Sequence, residues 1–268
     1  MTARILDQRN ADRLPEPAYD RDGVTIYRGD CRTILPLLAA VDHVITDPPY
    51  EAEAHTLQRR IVNPRTQELR MAPLTFEAIT ADVRSDYSRL VSPLVERWCL
   101  TFCQVEAAMI WRDQYERGGL RYVRSMAWVK PNGQPQLTGD RPSMGYETII
   151  AMHHTDERLR WNGGGRMGWF SCPVDANFSR EPRVHETQKP LRLMRELVEL
   201  FTDPGDLVLD PFAGSLTTAV ACKQLGRRCI AIEMDAGYVQ AGIKRLEATT
   251  LPLFVLAPEV VTQEGLGL

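Results

Sequence analysis

Residues 205–235 read GDLVLDPFAGSLTTAVACKQLGRRCIAIEMD, and their order decides the fold. An apolar run ends at Asp210, a turn of small residues follows, and helical periodicity extends from Thr217 to Leu225. A second β-rich run, RCIAIE, then ends at Glu233. Strand, tight turn, helix and strand in this order form a βαβ unit, which implies a parallel sheet. The same layout suits a nucleoside ligand. Gly214 lets a ligand approach the backbone, and the carboxylate of Glu233 at the second strand's end can accept from both ribose hydroxyls. Phosphate-binding versions of this turn want three glycines. For this stretch alone, an ordinary αβ turn with a strand-terminal carboxylate stays open as the alternative.

Toward the C-terminus, a helix is expected from Tyr238 to Leu246, followed by a tail over 251–268. Toward the N-terminus, the turn DPGD at 203–206 follows a helix expected over Pro190–Phe201. Residues 153–184 are rich in Gly, Arg, Trp and Pro and have room only for a few short strands, so they are read as a small inserted module. Before them, CLTFC (99–103), AAMIW (107–111), SMAWVK (125–130) and ETIIAMH (147–153) are read as strands. A helix is expected over Thr80–Trp98, interrupted near Pro93. Residues 51–73 carry Arg59, Arg60, Arg65 and Arg70 without clear periodicity and read as a long loop. Near the start, the strand VTIYRGD (24–30) leads to a short helix around Thr33–Ala39. The strand HVIT (43–46) then stops at Asp47-Pro48-Pro49-Tyr50.

With 268 residues, 44% hydrophobic and 25% charged, the chain suits one large α/β domain, or a catalytic domain with an inserted module, and excludes disordered and fibrous classes. No apolar run is long enough to span a bilayer. The N-terminal MTARILDQRNADRLPE is too charged for a signal peptide, so a cytoplasmic protein is expected. The six cysteines show no CxxC or Cys/His frame and read as reduced core thiols. His153 and His154, adjacent on a strand, read as a solvated pair, and no metal is expected. Glu247, Glu259 and Glu264, after the last basic residue, account for the whole net charge of -3. Binding to nucleic acid therefore depends on local patches rather than on the total.

The tetrapeptide DPPY at 47–50 suggests demanding chemistry. The lone pair of an exocyclic amine on a nucleobase is delocalised into the ring, and its proton is too weakly acidic to be removed beforehand. Asp47 and the carbonyl of Pro48 can each accept one amine hydrogen and draw the nitrogen toward tetrahedral geometry. Tyr50 can stack on an extruded base, and the prolines hold the carbonyl in place. A proline-rich turn with a helix-capping Asp is the plainer reading of the string alone.

Together these segments resemble the β-class amino-methyltransferases of DNA, with permuted motif order, over nearly the whole chain. The resemblance implies an α/β fold: an S-adenosylmethionine-dependent, Rossmann-like mixed sheet with helices on both faces. Residues 1–152 and 185–250 would form the catalytic domain and 153–184 the target recognition region. It also implies S-adenosyl-L-methionine as cofactor. Gly29-Asp30, with Cys31, stands where the family contacts the adenine ring. His185, Thr187 and Lys189, in HETQKP, match the segment that holds the methionine carboxylate, and a lysine at a helix start is a good carboxylate partner. Asp210, Phe212, Ala213, Gly214, Ser215, Leu216 and Thr217 match the loop under the methionine and ribose. Glu233, followed by Met234, matches the ribose-binding acid, and Asp47 borders cofactor and base alike. One departure is Leu216, where the family usually has a second glycine.

Since the resembling enzymes with Asp before Pro-Pro mostly modify adenine, the resemblance implies N6 of a flipped adenine in double-stranded DNA as the target. N4 of cytosine, a protein amide nitrogen and a non-catalytic DNA-binding module are the alternatives. With 28 Arg and four Lys, DNA contacts are expected from Arg59, Arg60, Arg65, Arg158, Arg160 and Arg166, although a GC-rich genome would also raise Arg content. The resemblance further implies a homodimer or higher homo-oligomer.

Overall fold

The structure, a computed structural model, describes residues 13–49, 79–133, 135–136, 139–174 and 188–250, together with the backbone of 60–62 and 69–71. Five parallel strands form the half of the sheet that the βαβ pattern predicts: β2 (Val24–Arg28), β11 (Arg228–Glu233), β10 (Leu207–Asp210), β3 (Val41–Thr46) and β6 (Val95–Cys103), adjacent in that order. β8 (Tyr146–His154) pairs antiparallel with β6, and β7 (Leu120–Val129) pairs antiparallel with β8. Two short edge strands, β1 (Tyr19–Arg21) and β9 (Trp169–Ser171), complete a nine-stranded sheet. A separate hairpin joins β4 (Arg60–Val62) to β5 (Leu69–Met71).

Helices cover both faces. On one lie α4 (Leu191–Phe201), α5 (Thr217–Leu225) and α6 (Ala236–Glu247); on the other lie α1 (Cys31–Ile34), α2 (Ala81–Val91) and α3 (Ala108–Arg117). In α4, Leu193, Met194, Leu197, Val198 and Phe201 recur at helical spacing and are buried. Each such side chain taken fully from water contributes roughly 1.5–3 kcal/mol. The central strand β10 is buried along its whole length, with Val208 packing on one face and Leu207 and Leu209 on the other. This two-sided burial explains its unbroken apolar run. Caps set the helix starts: Thr80 accepts from the Val83 amide at 3.3 Å and Asp235 from the Tyr238 amide at 2.9 Å.

The parallel order reverses between β10 and β3, whose chains continue to opposite sides of the sheet. That switch point leaves a crevice at the carboxyl ends of the strands. Because β8 and β7 run antiparallel, the first residues of β8 and the last of β7 reach the same edge.

Several expectations need correction. AAMIW opens helix α3 rather than forming a strand: Trp111 and Tyr115, one turn apart, are both buried on its inner face. A short apolar run cannot by itself tell buried helix from strand. The helix expected to Trp98 ends at Val91, and after a 3-10 turn at Ser92–Leu94, Val95 begins β6. The loop read over 51–73 contains the β4–β5 hairpin. His153 is fully buried, its ring edge-on to Trp98 at 4.6 Å; one-sided exposure does not hold for a strand covered on both faces. Within the module read at 153–184, residues 153–154 finish β8, and β9 joins the main sheet beside β7. Residues 175–184 lie outside the described residues. All six cysteines are free and buried, as expected.

Candidate active site

At the switch point, Thr46 donates its hydroxyl to Asp210 Oδ1 at 2.8 Å, tying β3 to β10. Thr218 donates to Oδ2 at 2.5 Å and the Phe212 amide to Oδ1 at 3.2 Å. Burial pushes the Asp210 carboxyl up to about 6, against those hydrogen bonds. Asp210 thus pins the loop that follows it. Phe212 packs edge-on to Tyr87 of α2 at 4.9 Å. Gly214, at φ 49°, turns the chain, and its amide donates to Glu233 Oε2 at 2.8 Å. The Asp235 amide donates to Oε1 at 2.8 Å. Burial raises the Glu233 carboxyl above its ordinary value, and these backbone donors oppose that rise.

These residues line a cleft of about 590 Å³, a size suited to a small molecule. Asp30, Cys31, Phe212, Ala213, Gly214, Ser215, Thr217, Glu233 and Met234 all border it, as do Asp47, Pro48, Pro49 and Lys189. Asp30 caps α1 and grips Arg32 at 2.6–3.1 Å, and this hydrogen bonding lowers its carboxyl below the usual range. Burial pushes the Cys31 thiol up to about 12, so it is an apolar wall rather than a nucleophile. Ile79, Val83, Asp235 and Tyr238 also line the cleft; the sequence held no local signal for them. Tyr50, His185 and Thr187 lie outside the described residues, as do Arg59 and Arg65 and the side chain of Arg60.

Leu216 requires a correction, because its side chain does not border the cleft. Its backbone is left-handed, φ 62° and ψ 30°, the conformation a glycine would take there. For a leucine this costs about 1–2 kcal/mol. The side chain is fully buried against Gly242 of α6, where an added Cβ would meet Leu216 Cγ and Cδ1 at 2.4 Å. Arg245 of the same helix donates to the Ser215 carbonyl at 2.6 Å, clamping the turn from outside. Helix propensity alone favours alanine over glycine by about 1 kcal/mol. At Gly242 we expect the reverse: Gly242→Ala should lose about 1–3 kcal/mol to overpacking, seen as a lower urea midpoint with unchanged m-value. A midpoint at or above the parent's would show that α6 moves away freely.

Lys189 is nearly buried. Rather than standing open at the start of α4, its ammonium contacts Asp47 Oδ2 at 2.5 Å and Glu147 Oε2 at 3.2 Å. Glu147 in turn pairs with Lys130. The rings of Phe102 and Trp128 flank Lys189 at 5.0 and 5.8 Å. Burial raises the Asp47 carboxyl, partly offset by Lys189, whereas Lys189 and Lys130 together outweigh burial and hold Glu147 below its ordinary value. Among the described residues, Asp47 Oδ1 is buried with no hydrogen-bond partner. Sequence reading missed Glu147 and Lys130. They reach Asp47 only because β8 and β7 present opposite termini to this edge.

Of the arginines expected to meet DNA, Arg158, Arg160 and Arg166 lie among the described residues. The Arg160 carbonyl accepts from Trp98 Nε1, and its guanidinium pairs with Asp203 at 2.7 Å, beside the amino ends of the parallel strands and away from the cleft. Arg166 pairs with Glu196 of α4 at 2.5 Å, and Arg158 is exposed. Among the described residues, no group of three or more His, Cys, Asp or Glu is placed to hold a metal, and no helix is long and apolar enough to cross a membrane.

Comparison with known proteins gives a consistent picture. The family model for DNA methylases of the N6/N4 type matches residues 41–244. The type II methyltransferase M2.DpnII of Streptococcus pneumoniae is 32% identical over 144 residues, covering 50% of this chain and 54% of that protein. M.Cfr9I of Citrobacter freundii is 32% identical over 139 residues, covering 47% and 45%. The chain thus spans about half the length of the curated relatives it matches. Among solved structures, the M1.HpyAVI–SAM complex aligns with a TM-score of 0.64 and 26% identity, over 83% of this chain and 98% of that one. The cytosine-N4-specific PvuII DNA methyltransferase aligns with a TM-score of 0.65 and 18% identity, over 85% and 88%, a likeness of fold alone.

Proposed function

We propose that this chain, which belongs to the N6/N4 family of DNA methylases, methylates the exocyclic N6 of a flipped adenine in double-stranded DNA, at a specific site. The observation that carries the amine chemistry is Asp47 Oδ1, a buried acceptor with no partner among the described residues, beside two prolines on the cleft's edge; the choice of adenine over cytosine rests on Asp standing before Pro-Pro. An unpaired buried acceptor costs about 1–3 kcal/mol, and a donor such as an amine N–H would satisfy it.

The cleft suits S-adenosyl-L-methionine on its own chemistry. Glu233 keeps acceptor capacity beyond its two backbone donors, Gly214 adds no Cβ where a ligand would pass, and Phe212, Ile232 and Met234 offer apolar surface for a purine. When bound, this cofactor supplies an electrophilic methyl group. Asp47 and the Pro48 carbonyl accept the two amine hydrogens, localising the nitrogen lone pair as attack begins. Asp47 also stabilises the positive charge building on the nitrogen and can accept the proton that the methylated amine releases. The prolines fix φ and with it the direction of the carbonyl.

The DNA path is read along the segment of the chain that carries Arg59, Arg60 and Arg65, a choice supported by the pairing of Arg160 and Arg166 with carboxylates elsewhere. A homodimer would supply the surface that a specific DNA interface of 1,000 Å² or more requires. Sequencing modified bases in a plasmid co-expressed with the protein tests the reading: N6-methyladenine at one short site is expected. N4-methylcytosine would move the target to the other base, and an unmodified plasmid would overturn the activity.

A further inference from the structure

Four separate segments bring charged side chains together at one edge of the sheet. Asp47 follows β3, Lys130 follows β7, Glu147 lies in β8, and Lys189 precedes α4. Linked in the order Asp47, Lys189, Glu147, Lys130, they alternate in sign, with side-chain exposures of 24%, 5%, 8% and 16%. Buried charges are tolerated only when paired, and removing one partner is far costlier than the pair is worth. A chain of alternating charges therefore holds every member in place.

We propose that Glu147 and Lys130 are positioning residues that act on Asp47 through Lys189, so that Oδ2 is occupied and Oδ1 is left for the incoming group. A lysine paired with Asp47 alone could swing across both carboxylate oxygens. Here the second contact, to Glu147 Oε2 at 3.2 Å, draws the ammonium to one side. Lys130 keeps Glu147 from turning away, and the aromatic walls of Phe102 and Trp128 leave Lys189 little lateral room. The identity of the incoming group as a base amine rests on the proposed function. The division of the two oxygens does not.

Burial disfavours the ionised form of Asp47, and of the charges facing it Lys189 and Lys130 favour that form whereas Glu147 disfavours it. Asp47 in turn disfavours ionisation of Asp210 behind it. Substitutions at two links of the chain should consequently shift Asp47 in opposite senses, which loss of packing would not do.

The test uses cofactor-free protein carrying ¹³C-carboxyl aspartate, with the Asp47 resonance assigned by its loss in Asp47→Asn. Lys189→Met is expected to raise the titration midpoint of Asp47 by about one pH unit or more. Glu147→Gln should lower it, and Lys189→Arg should return it close to the parent. The acid limb of the pH–activity profile should move in the same directions. Should Lys189→Met lose its native circular dichroism, Glu147→Gln and Lys189→Arg still carry the test. A midpoint unmoved by Glu147→Gln, or raised by it, would overturn the inference. Methylated plasmid together with an unshifted Asp47 would sink this inference alone; the expected shifts with no methylated base would sink only the amine reading.

Discussion

Asp47→Ala is expected to lower kcat/KM for DNA by about 10²–10⁴-fold, the range in which a group that stabilises developing charge or handles a proton contributes. The loss should fall mainly on kcat, because the nitrogen becomes positive only as it attacks. Cofactor affinity, measured by calorimetry without DNA, should stay within about threefold of the parent, since that part of the cleft is built from Glu233, Gly214 and their neighbours. Folding should be checked beside activity, because Lys189 loses its 2.5 Å contact with Asp47 and then shares Glu147 with Lys130. Asp47→Asn offers a sharper comparison: it preserves shape and one acceptor oxygen but removes the negative charge and presents an amide N–H₂ as well. It should remain close to the alanine variant. Activity within tenfold of the parent in Asp47→Ala would sink the mechanism.

How far sequence leads to this site depends on the length scale of each feature. The segment 205–235 was legible because its turn, helix and second strand are local: α5 spans Thr217–Leu225 and β11 spans Arg228–Glu233, as the periodicity predicts. Asp47-Pro48-Pro49 stands out in the sequence because the three residues are consecutive, and the structure places all three on the cleft. Glu147 does not stand out. In the sequence it is one acid at the head of an apolar run, and only the antiparallel registers, Cys103 opposite Thr148 and Val129 opposite Tyr146, carry it to the edge where Asp47 lies. Leu216 shows the same limit in another form. Its presence at a position suited to glycine reads as a defect until Gly242, a helix away, is seen to make room for it. Pairwise compensation of this kind leaves no periodic trace in a single sequence.

Glu233→Ala should produce the largest loss of cofactor affinity. Its two oxygens already hold the Gly214 and Asp235 amides at 2.8 Å each, so the carboxylate is fixed in direction before any ligand arrives. A hydrogen bond to a charged group contributes about 1.5–3 kcal/mol, or roughly 10- to 150-fold in Kd, and alanine also leaves the Gly214 amide without its acceptor. We therefore expect the Kd for S-adenosyl-L-methionine to rise by about 10- to 100-fold, with kcat at saturating cofactor much less affected. Glutamine is no rescue, because only one of its two terminal atoms accepts, whereas both backbone donors need an acceptor. The pH dependence supplies an independent reading. Burial places the Glu233 carboxyl above its ordinary value, so cofactor affinity in the parent should weaken as pH falls through that raised value and the acid protonates. In Glu233→Ala this acid limb should be absent. A Kd within threefold of the parent, or an acid limb that persists in the variant, would place ribose recognition on another residue of the cleft.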